Sequence, residues 1–476
     1  LKLVSGTTVA QLLTLLVAPI LTRLFAPDTW GVLAIFVSIT SILGVIACLR
    51  YELAIMLPEK DEESANLLGV SLMFSVLVSL LIVPIIWFGK DPILRWLNAP
   101  GLAPYLWLVP IAVFLQGVFL ALNYWNSRTR HFGRLSIARV ISTLSTSLGK
   151  LSFGFAGYTS AGTMIGATVA GAAISTTILG GQIWRDDRNK FISAIRWREM
   201  YKGLIRYRRF PIFNTGAALL NTISVQLPPL LLISFFSPLV VGLYSLGQRL
   251  LTLPMNFIGG AIGQVFYQRA AVASAENTLR QVVEKTAGLL VIIGVFPFLL
   301  LAVIGPEFFV FVFGKEWFLA GKYVQILAPW YMCVFISSPI SSLNSVLEKQ
   351  AIGLLFNIIQ VATRAGSLII GGLTGNIILG LGLFSLSGFL AVIWFAVYHL
   401  DLSGVDLRTF GMNTLGKIAV AATFVMPVIL LKYITNASII YLLVGSALVT
   451  SAYYIFVILR NKDILKIVKQ IIRRTL

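Results

Sequence analysis

The sequence predicts an all-α polytopic membrane protein with about fourteen transmembrane helices, arranged as two six-helix lobes around a central cavity plus two C-terminal helices. Hydrophobic residues make up 58% of the 476 residues and charged residues only 12%, so lipid is the main solvent of the chain. The apolar runs are continuous over about 20 residues, whereas the strands of a membrane β-barrel alternate over about 10. Both observations predict helices that cross a bilayer.

Fourteen apolar runs are long enough to span a bilayer. The first six lie at residues 4–22, 30–49, 64–89, 103–126, 134–155 and 160–183. After a polar stretch, eight more lie at residues 211–233, 237–266, 287–304, 323–347, 350–372, 376–399, 414–434 and 438–459. Cys48 and Cys333 fall within such runs, which predicts packing residues rather than a disulfide or metal ligands.

The orientation of the spans follows from the distribution of Lys and Arg, because cytoplasmic loops keep an excess of positive charge. With the N-terminus in the cytoplasm, 27 of these residues lie on the inner side and 6 on the outer side, and four lie within spans. We therefore predict that both termini are cytoplasmic. The same distribution explains most of the net charge of +19, which disfavours nucleic-acid binding.

Two basic segments have apolar residues on one side of a predicted helix. The first is a cytoplasmic linker over residues 188–210, with Ile192, Ile195, Leu204 and Ile205 on that side. The second is residues 463–476 of the basic tail, with Leu465, Val468 and Ile472 on that side. Both patterns are typical of amphipathic helices that lie in the membrane interface. Such a helix can serve as a simple anchor or can take part in movements of the two lobes.

An internal repeat divides the chain. LFAPDTWG at residues 24–31 matches FFSPLVVG at residues 235–242 with an offset of 211, and a second match at Tyr105 and Tyr323 has an offset of 218. Six spans per half, both halves starting on the inside, indicate parallel repeats related by an axis along the membrane normal. The predicted domains are an N-lobe (residues 1–187), the linker (188–210), a C-lobe (211–402), spans 13 and 14 (403–459) and the tail (460–476).

Polar residues form stripes within several spans. Arg139, Thr143, Thr146 and Lys150 are spaced i, i+4, i+7 and i+11, so they share one side of span 5 over about 16 Å. The offset of 218 places Asn357 and Arg364 at the equivalent positions of span 11. Gln248 and Arg249 form a further candidate pair at mid-bilayer in span 8. Arg50 and Glu52 form another near the inner end of span 2.

Charged groups inside a bilayer face a bundle interior or water, because exposure to hydrocarbon costs several kcal/mol. The stripes therefore predict a central cavity, and its deep charges are basic, namely Lys150, Arg249 and Arg364. Arg binds phosphate with two parallel hydrogen bonds, so a phosphate-bearing substrate fits such a cavity better than a cation. Arg50 and Arg139 are close enough to the cytoplasmic end to reach the interface instead. Aromatic residues at span ends either belong to an interfacial belt or stack on sugar rings, and the candidates are Tyr124, Trp125, Tyr244 and Trp330.

Several stretches resemble a known family. SGTTVAQLLTLLVAPILTRLFAPDTWG, LRYELAIMLP, LYSLGQRLLTLP, AIGQVF and FGKEWFLAGKYVQILAPW are similar to the Wzx-type polysaccharide biosynthesis flippases of the multidrug/oligosaccharidyl-lipid/polysaccharide (MOP) exporter superfamily. The resemblance covers essentially the whole chain. It implies two six-helix lobes around a central cavity. In the related lipid II flippases, a cationic cavity includes Arg in the second and eighth spans, which Arg50 and Arg249 resemble in place, whereas the first-span Arg of those proteins has no clear counterpart.

The resemblance also implies a function. We expect a flippase that exports an undecaprenyl-diphosphate-linked oligosaccharide, such as an O-antigen, capsule or exopolysaccharide repeat unit, across a bacterial inner membrane. Other expected partners are membrane lipids, with H⁺ or Na⁺ as a coupling ion and the polysaccharide polymerase machinery as further candidates. No cofactor or metal is expected. A multidrug or cation antiporter would need deep carboxylates, and a polymerase would be expected to have a sizeable outer loop. The sequence lacks GxxxxGK[ST], so it has no P-loop for ATP.

Overall fold

The computed structural model describes residues 2–434 and 438–461, with the side chains of residue 6 and of residue 8 onward. Helices and turns make up this described part of the chain, which has no β-strand. The helices form two compact units, unit 1 over residues 1–245 and unit 2 over residues 246–476. Unit 1 thus includes the predicted linker and the start of the predicted C-lobe, and the lobe boundaries stay a prediction.

Unit 1 consists of nine helices and the first half of a tenth. In chain order they are α1 Lys2–Leu24, α2 Pro27–Ile46, α3 Tyr51–Ala54, α4 Asp61–Leu97, α5 Val109–Arg128, α6 Phe132–Phe155, α7 Ala161–Ala194, α8 Trp197–Arg206, α9 Thr215–Phe235 and α10 Pro238–Pro254. A 3₁₀ segment, Pro100–Leu108, precedes α5, and a π-helical turn, Phe210–Asn214, precedes α9. Pro27 and Pro238 each occupy the first residue of a helix, where the missing N–H is not needed.

Small residues set the helix packing around α6, which lies between α1 and α7. A Cβ on Gly6 would collide with Ser136 of α6, and a Cβ on Gly171 of α7 would collide with the Thr146 hydroxyl. Such contacts are typical of membrane helices, whose backbones approach closely at small residues. The polar side of α6 is thereby held between two neighbouring helices.

The two copies of the repeated motif contact each other at the start of α2 and the start of α10. A Cβ on Gly31 would overlap the carbonyl oxygen of Pro238, and a Cβ on Gly242 would overlap the carbonyl oxygen of Pro27. The offset of 211 relates Pro27 to Pro238 and Gly31 to Gly242. The contact is therefore reciprocal between equivalent residues, as expected for two repeats related by a rotation axis.

Unit 2 contains the rest of α10 and eight further helices. They are α11 Gly260–Ala275, α12 Leu279–Phe313, α13 Phe318–Ile340, α14 Leu343–Val346, α15 Gln350–Leu373, α16 Ile377–Leu402, α17 Leu407–Tyr433 and α18 Ile439–Arg460. A second π-helical turn, Met255–Gly259, follows Pro254, and a 3₁₀ turn, Lys315–Trp317, precedes α13. Helix α12 packs on α13, α17 and α18, and α16 packs on α13 and α15.

Prolines inside α12 explain several side-chain contacts of unit 2. A proline lacks the N–H that would bind the carbonyl four residues earlier, so that carbonyl needs another donor. Four residues before Pro297, the Ile293 carbonyl accepts a hydrogen bond from the Tyr454 hydroxyl at 3.0 Å. Four residues before Pro306, the Ala302 carbonyl accepts one from Gln325 Nε2 at 3.0 Å. These bonds fix α18 and α13 to α12.

Twelve of the described helical segments are long and apolar enough to cross a membrane. A multi-pass helical membrane protein is therefore confirmed, whereas the count of fourteen is not. The other two predicted spans fall on α1, whose apolar part Thr8–Leu24 is shorter, and on α6, which carries the polar stripe. The predicted interfacial helix at 188–210 is divided, because α7 continues to Ala194 and α8 begins at Trp197. Residues 462–476 of the predicted basic tail lie outside the described residues.

Candidate functional site

A pocket of about 500 Å³ opens within unit 1 between α1, α2, α5, α6 and α7. This volume lies in the range of small-molecule sites, roughly 300–1,000 Å³. Arg139 of α6 is the one charged residue in the lining. The other polar lining residues carry a hydroxyl or an amide and are Gln11, Thr14, Thr40, Ser41, Gln116, Ser142, Thr143, Thr168, Ser175 and Thr176. We call this the unit 1 pocket.

Three hydroxyl groups of the unit 1 pocket are available as acceptors. Thr14, Thr40 and Thr168 each donate a hydrogen bond to a carbonyl of their own helix, at 2.8, 2.9 and 2.8 Å. A hydroxyl that donates in this way keeps lone pairs for a further donor. The Thr176 hydroxyl is buried without a hydrogen-bond partner, which is costly unless a ligand or water supplies one. The lining therefore suits a ligand rich in O–H or N–H groups.

Helix geometry explains how these side chains come together. Arg139 and Thr143 are four residues apart on α6, so they lie on the same side of the helix. Thr168, Ser175 and Thr176 are similarly spaced at i, i+7 and i+8 on α7. Arg139 is half-buried, and the described lining holds no carboxylate, so the fixed charge of the pocket is positive.

Thr146 and Lys150, the other members of the predicted stripe, do not line the unit 1 pocket. Thr146 packs on Gly171 of α7, where a larger residue than glycine would not fit. Lys150 lies about one turn farther along α6 and is half-buried. The predicted stripe therefore has two parts. Arg139 and Thr143 line the unit 1 pocket, whereas Thr146 lies where α6 packs closely against α7.

Arg50 and Glu52 lie in the short segment between α2 and α4. Arg50 Nη1 is 3.5 Å from Glu52 Oε1, and the Glu52 side chain is fully buried. Burial raises the pKa of the Glu52 carboxyl, and a hydrogen bond from its own backbone and the positive charge of Arg50 offset this in part. Arg50 is therefore paired with an acid, which reduces its attraction for an anion.

The predicted residues of unit 2 lie on α10 and α15. Gln248 and Arg249 are adjacent on α10, where Arg249 is exposed and Gln248 is half-buried. Asn357 is exposed on α15, and Arg364 lies two turns farther along the same helix. The Arg364 guanidinium sits over the Trp330 indole at 5.4 Å from the ring centroid, which is a cation–π contact.

Three of the four aromatic candidates for sugar stacking pack inside the protein instead. Trp125, Tyr244 and Trp330 are 0%, 0% and 3% exposed. Trp125 Nε1 donates a hydrogen bond to Asp187 at 3.1 Å, and one face of Trp330 is covered by Arg364. Their prediction as sugar contacts is not supported by this burial, because a stacking residue must present a ring face to the ligand. Tyr124 is half-buried.

Several polar residues of the unit 1 pocket were missed by the sequence-based prediction, which followed charges. These residues are Thr40, Ser41, Gln116, Thr168, Ser175 and Thr176. The spacing of the last three on α7 is a signal that could have shown them, since it places three hydroxyls on one face of the apolar part of that helix. Among the described residues, no group of three or more His, Cys, Asp or Glu side chains could hold a metal ion.

The fold and the polar pocket define a polytopic helical membrane protein. The profile of a family described as polysaccharide biosynthesis protein matches residues 20–322, so the chain belongs to that family. A solved structure of the lipid II flippase MurJ in an inward closed conformation is similar in fold, with a TM-score of 0.73, 12% identity, and 97% of this chain and 99% of that chain covered.

A second similar structure is that of a mutant of the MATE transporter VcmN from Vibrio cholerae, with a TM-score of 0.53 and 13% identity over 86% of this chain and 95% of that chain. At these identities the similarity shows the fold alone. Comparison with curated protein sequences gives no match.

Proposed function

We propose that the chain is a flippase that moves an undecaprenyl-diphosphate-linked oligosaccharide from the cytoplasmic to the outer leaflet by alternating access. The observation that carries this proposal is the unit 1 pocket, whose described lining has Arg139 as its one charged residue and ten hydroxyl or amide side chains around it. Membership of the polysaccharide biosynthesis family and the fold shared with a lipid II flippase support it.

The chemistry of the unit 1 pocket matches a glycan head group. Sugar hydroxyls are donors, and the hydroxyls of Thr14, Thr40 and Thr168 offer acceptor lone pairs. Phe119, which is half-buried, supplies apolar lining against the C–H face of a sugar ring. Arg139 suits a phosphate or carboxylate of the head group.

The rest of the transport path is proposed from the sequence. In this proposal α1 and α6 also cross the membrane, which gives fourteen spans, and two six-helix lobes enclose a central cavity. Lys150, Arg249 and Arg364 hold the diphosphate, and Arg50, whose charge is partly offset by Glu52, guides it in from the cytoplasmic side. Both termini lie in the cytoplasm of a bacterium. Carrying negative charge outward is favoured by about 2.3 kcal/mol per charge per 100 mV, and a coupled H⁺ or Na⁺ would change that sum.

Other functions fit the pocket less well. A cation antiporter of the same superfamily would need a carboxylate where its substrate binds, whereas the described lining of the unit 1 pocket carries a single cation. A polymerase would need catalytic groups on the outer side, and the predicted outer loops are short.

The test is to delete the gene and determine the leaflet that holds the lipid-linked intermediates. Accumulation on the cytoplasmic leaflet supports a flippase, whereas unpolymerised units on the outer leaflet would indicate a polymerase. Complementation with Arg139→Gln tests the pocket, and Arg188→Gln, the same change at an exposed position of α7, is the matched control. At equal protein levels, Arg139→Gln should reduce export and Arg188→Gln should not. Retained export in Arg249→Ala would remove that residue from the proposed path.

A further inference from the structure

Helix α8 is fixed to the rest of unit 1 by its inner side. Asn66 of α4 donates to the carbonyl of Ala194 at 2.8 Å and accepts a hydrogen bond from the Arg196 amide at 3.0 Å. Met200 lies against Gly69, and Leu67 lies against Gly203. The helix therefore has a defined inner side and a defined outer side relative to α4.

The outer side of α8 carries an apolar ridge. Trp197, Tyr201 and Ile205 follow one another at i, i+4 and i+8, so they align along the helix. Their exposed fractions are 71%, 59% and 45%, and α8 is not part of the twelve segments that are long and apolar enough to cross a membrane.

Basic residues flank this ridge. Arg196, Arg198, Lys202, Arg206, Arg208 and Arg209 are exposed, and Glu199 is the one acid between residues 195 and 210. Lys202 pairs with Glu199 at 2.7 Å and Arg206 pairs with Glu63 at 3.1 Å. Among the ion pairs of the described residues, none involves the other four arginines. The surface therefore has an excess of positive charge beside an apolar stripe.

We propose that the outer side of α8, with Arg198, Arg208 and Arg209, is a docking surface for the anionic phospholipid headgroups of the membrane. A short helix with an aromatic ridge and a basic rim lies in the interface plane with its ridge among the acyl chains. Anionic lipid headgroups supply the negative charge that the rim lacks, and they are concentrated on the leaflet that the basic loops face. This surface is separate from the unit 1 pocket, and the proposal does not depend on the transported substrate.

Docking through α8 has a structural consequence. Asn66, Leu67 and Gly69 lie in the first three turns of α4, so a lipid-bound α8 holds that end of the span at the membrane surface. The same contacts distinguish α8 from a flexible tether, because a tether would bind lipid without fixing the depth of α4.

The first experiment measures lipid binding to the purified full chain in detergent by native mass spectrometry during titration with phosphatidylglycerol. Each arginine near an anionic surface contributes about fivefold, so Arg198→Gln/Arg208→Gln/Arg209→Gln should weaken the tightest binding by up to about 100-fold. Phosphatidylcholine binding should not change. The matched control is Lys90→Gln/Arg95→Gln/Lys315→Gln, which removes three cations from predicted outer loops. Equal loss in both triple variants, or no loss in the first, would overturn the proposal.

The second experiment measures depth in nanodiscs of phosphatidylcholine and phosphatidylglycerol, with a nitroxide attached at Tyr201→Cys. The label should be accessible to oxygen and protected from an aqueous nickel chelate. The opposite result is a label that the nickel chelate reaches in nanodiscs and that becomes protected only after cytosolic protein is added. That result would show that a soluble protein occupies this face, and it would overturn the proposal.

Discussion

The reciprocal contact between α2 and α10 makes a quantitative prediction about two glycines. In Gly31→Ala the new methyl group overlaps the carbonyl oxygen of Pro238, and in Gly242→Ala it overlaps the carbonyl oxygen of Pro27. Backbone cannot rotate away as a side chain can, so α2 and α10 must move apart. Overpacking of this kind costs about 1–3 kcal/mol and sometimes more, and the two variants should be similarly destabilised.

The double variant gives the sharper test. Once the first methyl group has separated α2 from α10, the second meets less resistance, so Gly31→Ala/Gly242→Ala should cost less than the sum of the single variants. Neighbouring sites that share a backbone shift show such non-additivity, of about 0.5–3 kcal/mol.

The assay is thermal unfolding of the purified protein in detergent, followed by circular dichroism. Gly166→Ala is the matched control, because a Cβ at this position of α7 meets nothing within 4 Å. Alanine is a better helix former than glycine by about 1 kcal/mol, so the control should leave the midpoint unchanged or raise it. Single variants with the midpoint of the wild type, or a double variant whose loss equals the sum, would refute the reciprocal contact.

Three further predictions concern unit 1. Burial raises the pKa of the Glu52 carboxyl in the folded protein. Folding stability is therefore lost as the pH rises from about 4.3, the ordinary pKa of a Glu side chain, through the pKa of the folded state. Because glutamine does not titrate, Glu52→Gln should raise the unfolding midpoint at pH 8 more than at pH 5. An equal effect at both pH values would contradict this. Asn66→Ala removes two hydrogen bonds between α4 and the segment before α8 and should cost about 2–4 kcal/mol; a thermal midpoint within error of wild type would show that these bonds are dispensable. Thr176→Val removes a buried hydroxyl without a partner, so it should keep stability but lower export in the complementation assay, and unchanged export would argue against a ligand contact at this position.

The sequence was most informative where one physical rule dominates. Continuous apolar runs predicted most helices, since a backbone in lipid must satisfy its hydrogen bonds internally. The match between LFAPDTWG and FFSPLVVG predicted equivalent positions, and the structure brings Gly31 and Gly242 into a reciprocal contact. The i, i+4 spacing placed Arg139 and Thr143 on one side of α6, and both line the unit 1 pocket.

The sequence was less informative where the outcome depends on which neighbour a side chain meets. Tryptophan is a residue type that stacks on sugars, but both candidates have partners inside the protein. Trp125 donates its indole N–H to Asp187, and the Arg364 guanidinium covers one face of Trp330. Both partners are distant in the sequence, so periodicity gives no sign of them. The break between α7 and α8 depends likewise on Asn66, which lies about 130 residues earlier.

The Arg50 charge shows the same limit. A basic residue near the inner end of a span predicts an anion contact, but Glu52 follows two residues later and its Oε1 lies 3.5 Å from Arg50 Nη1. The backbone makes this possible, because Leu49 and Arg50 adopt the left-handed conformation, with φ of 47° and 63°. A turn of this kind is uncommon for residues with a side chain and has no clear sequence signal.

Flippase activity is measured most directly with the purified protein in vesicles that contain an undecaprenyl-diphosphate-linked oligosaccharide in both leaflets. An added glycosidase first consumes the outer pool. The wild-type chain should then deliver the inner pool to the enzyme, and Arg139→Gln should do so more slowly than Arg188→Gln. An inner pool that stays protected in vesicles with correctly folded wild-type protein would contradict the proposed flippase activity.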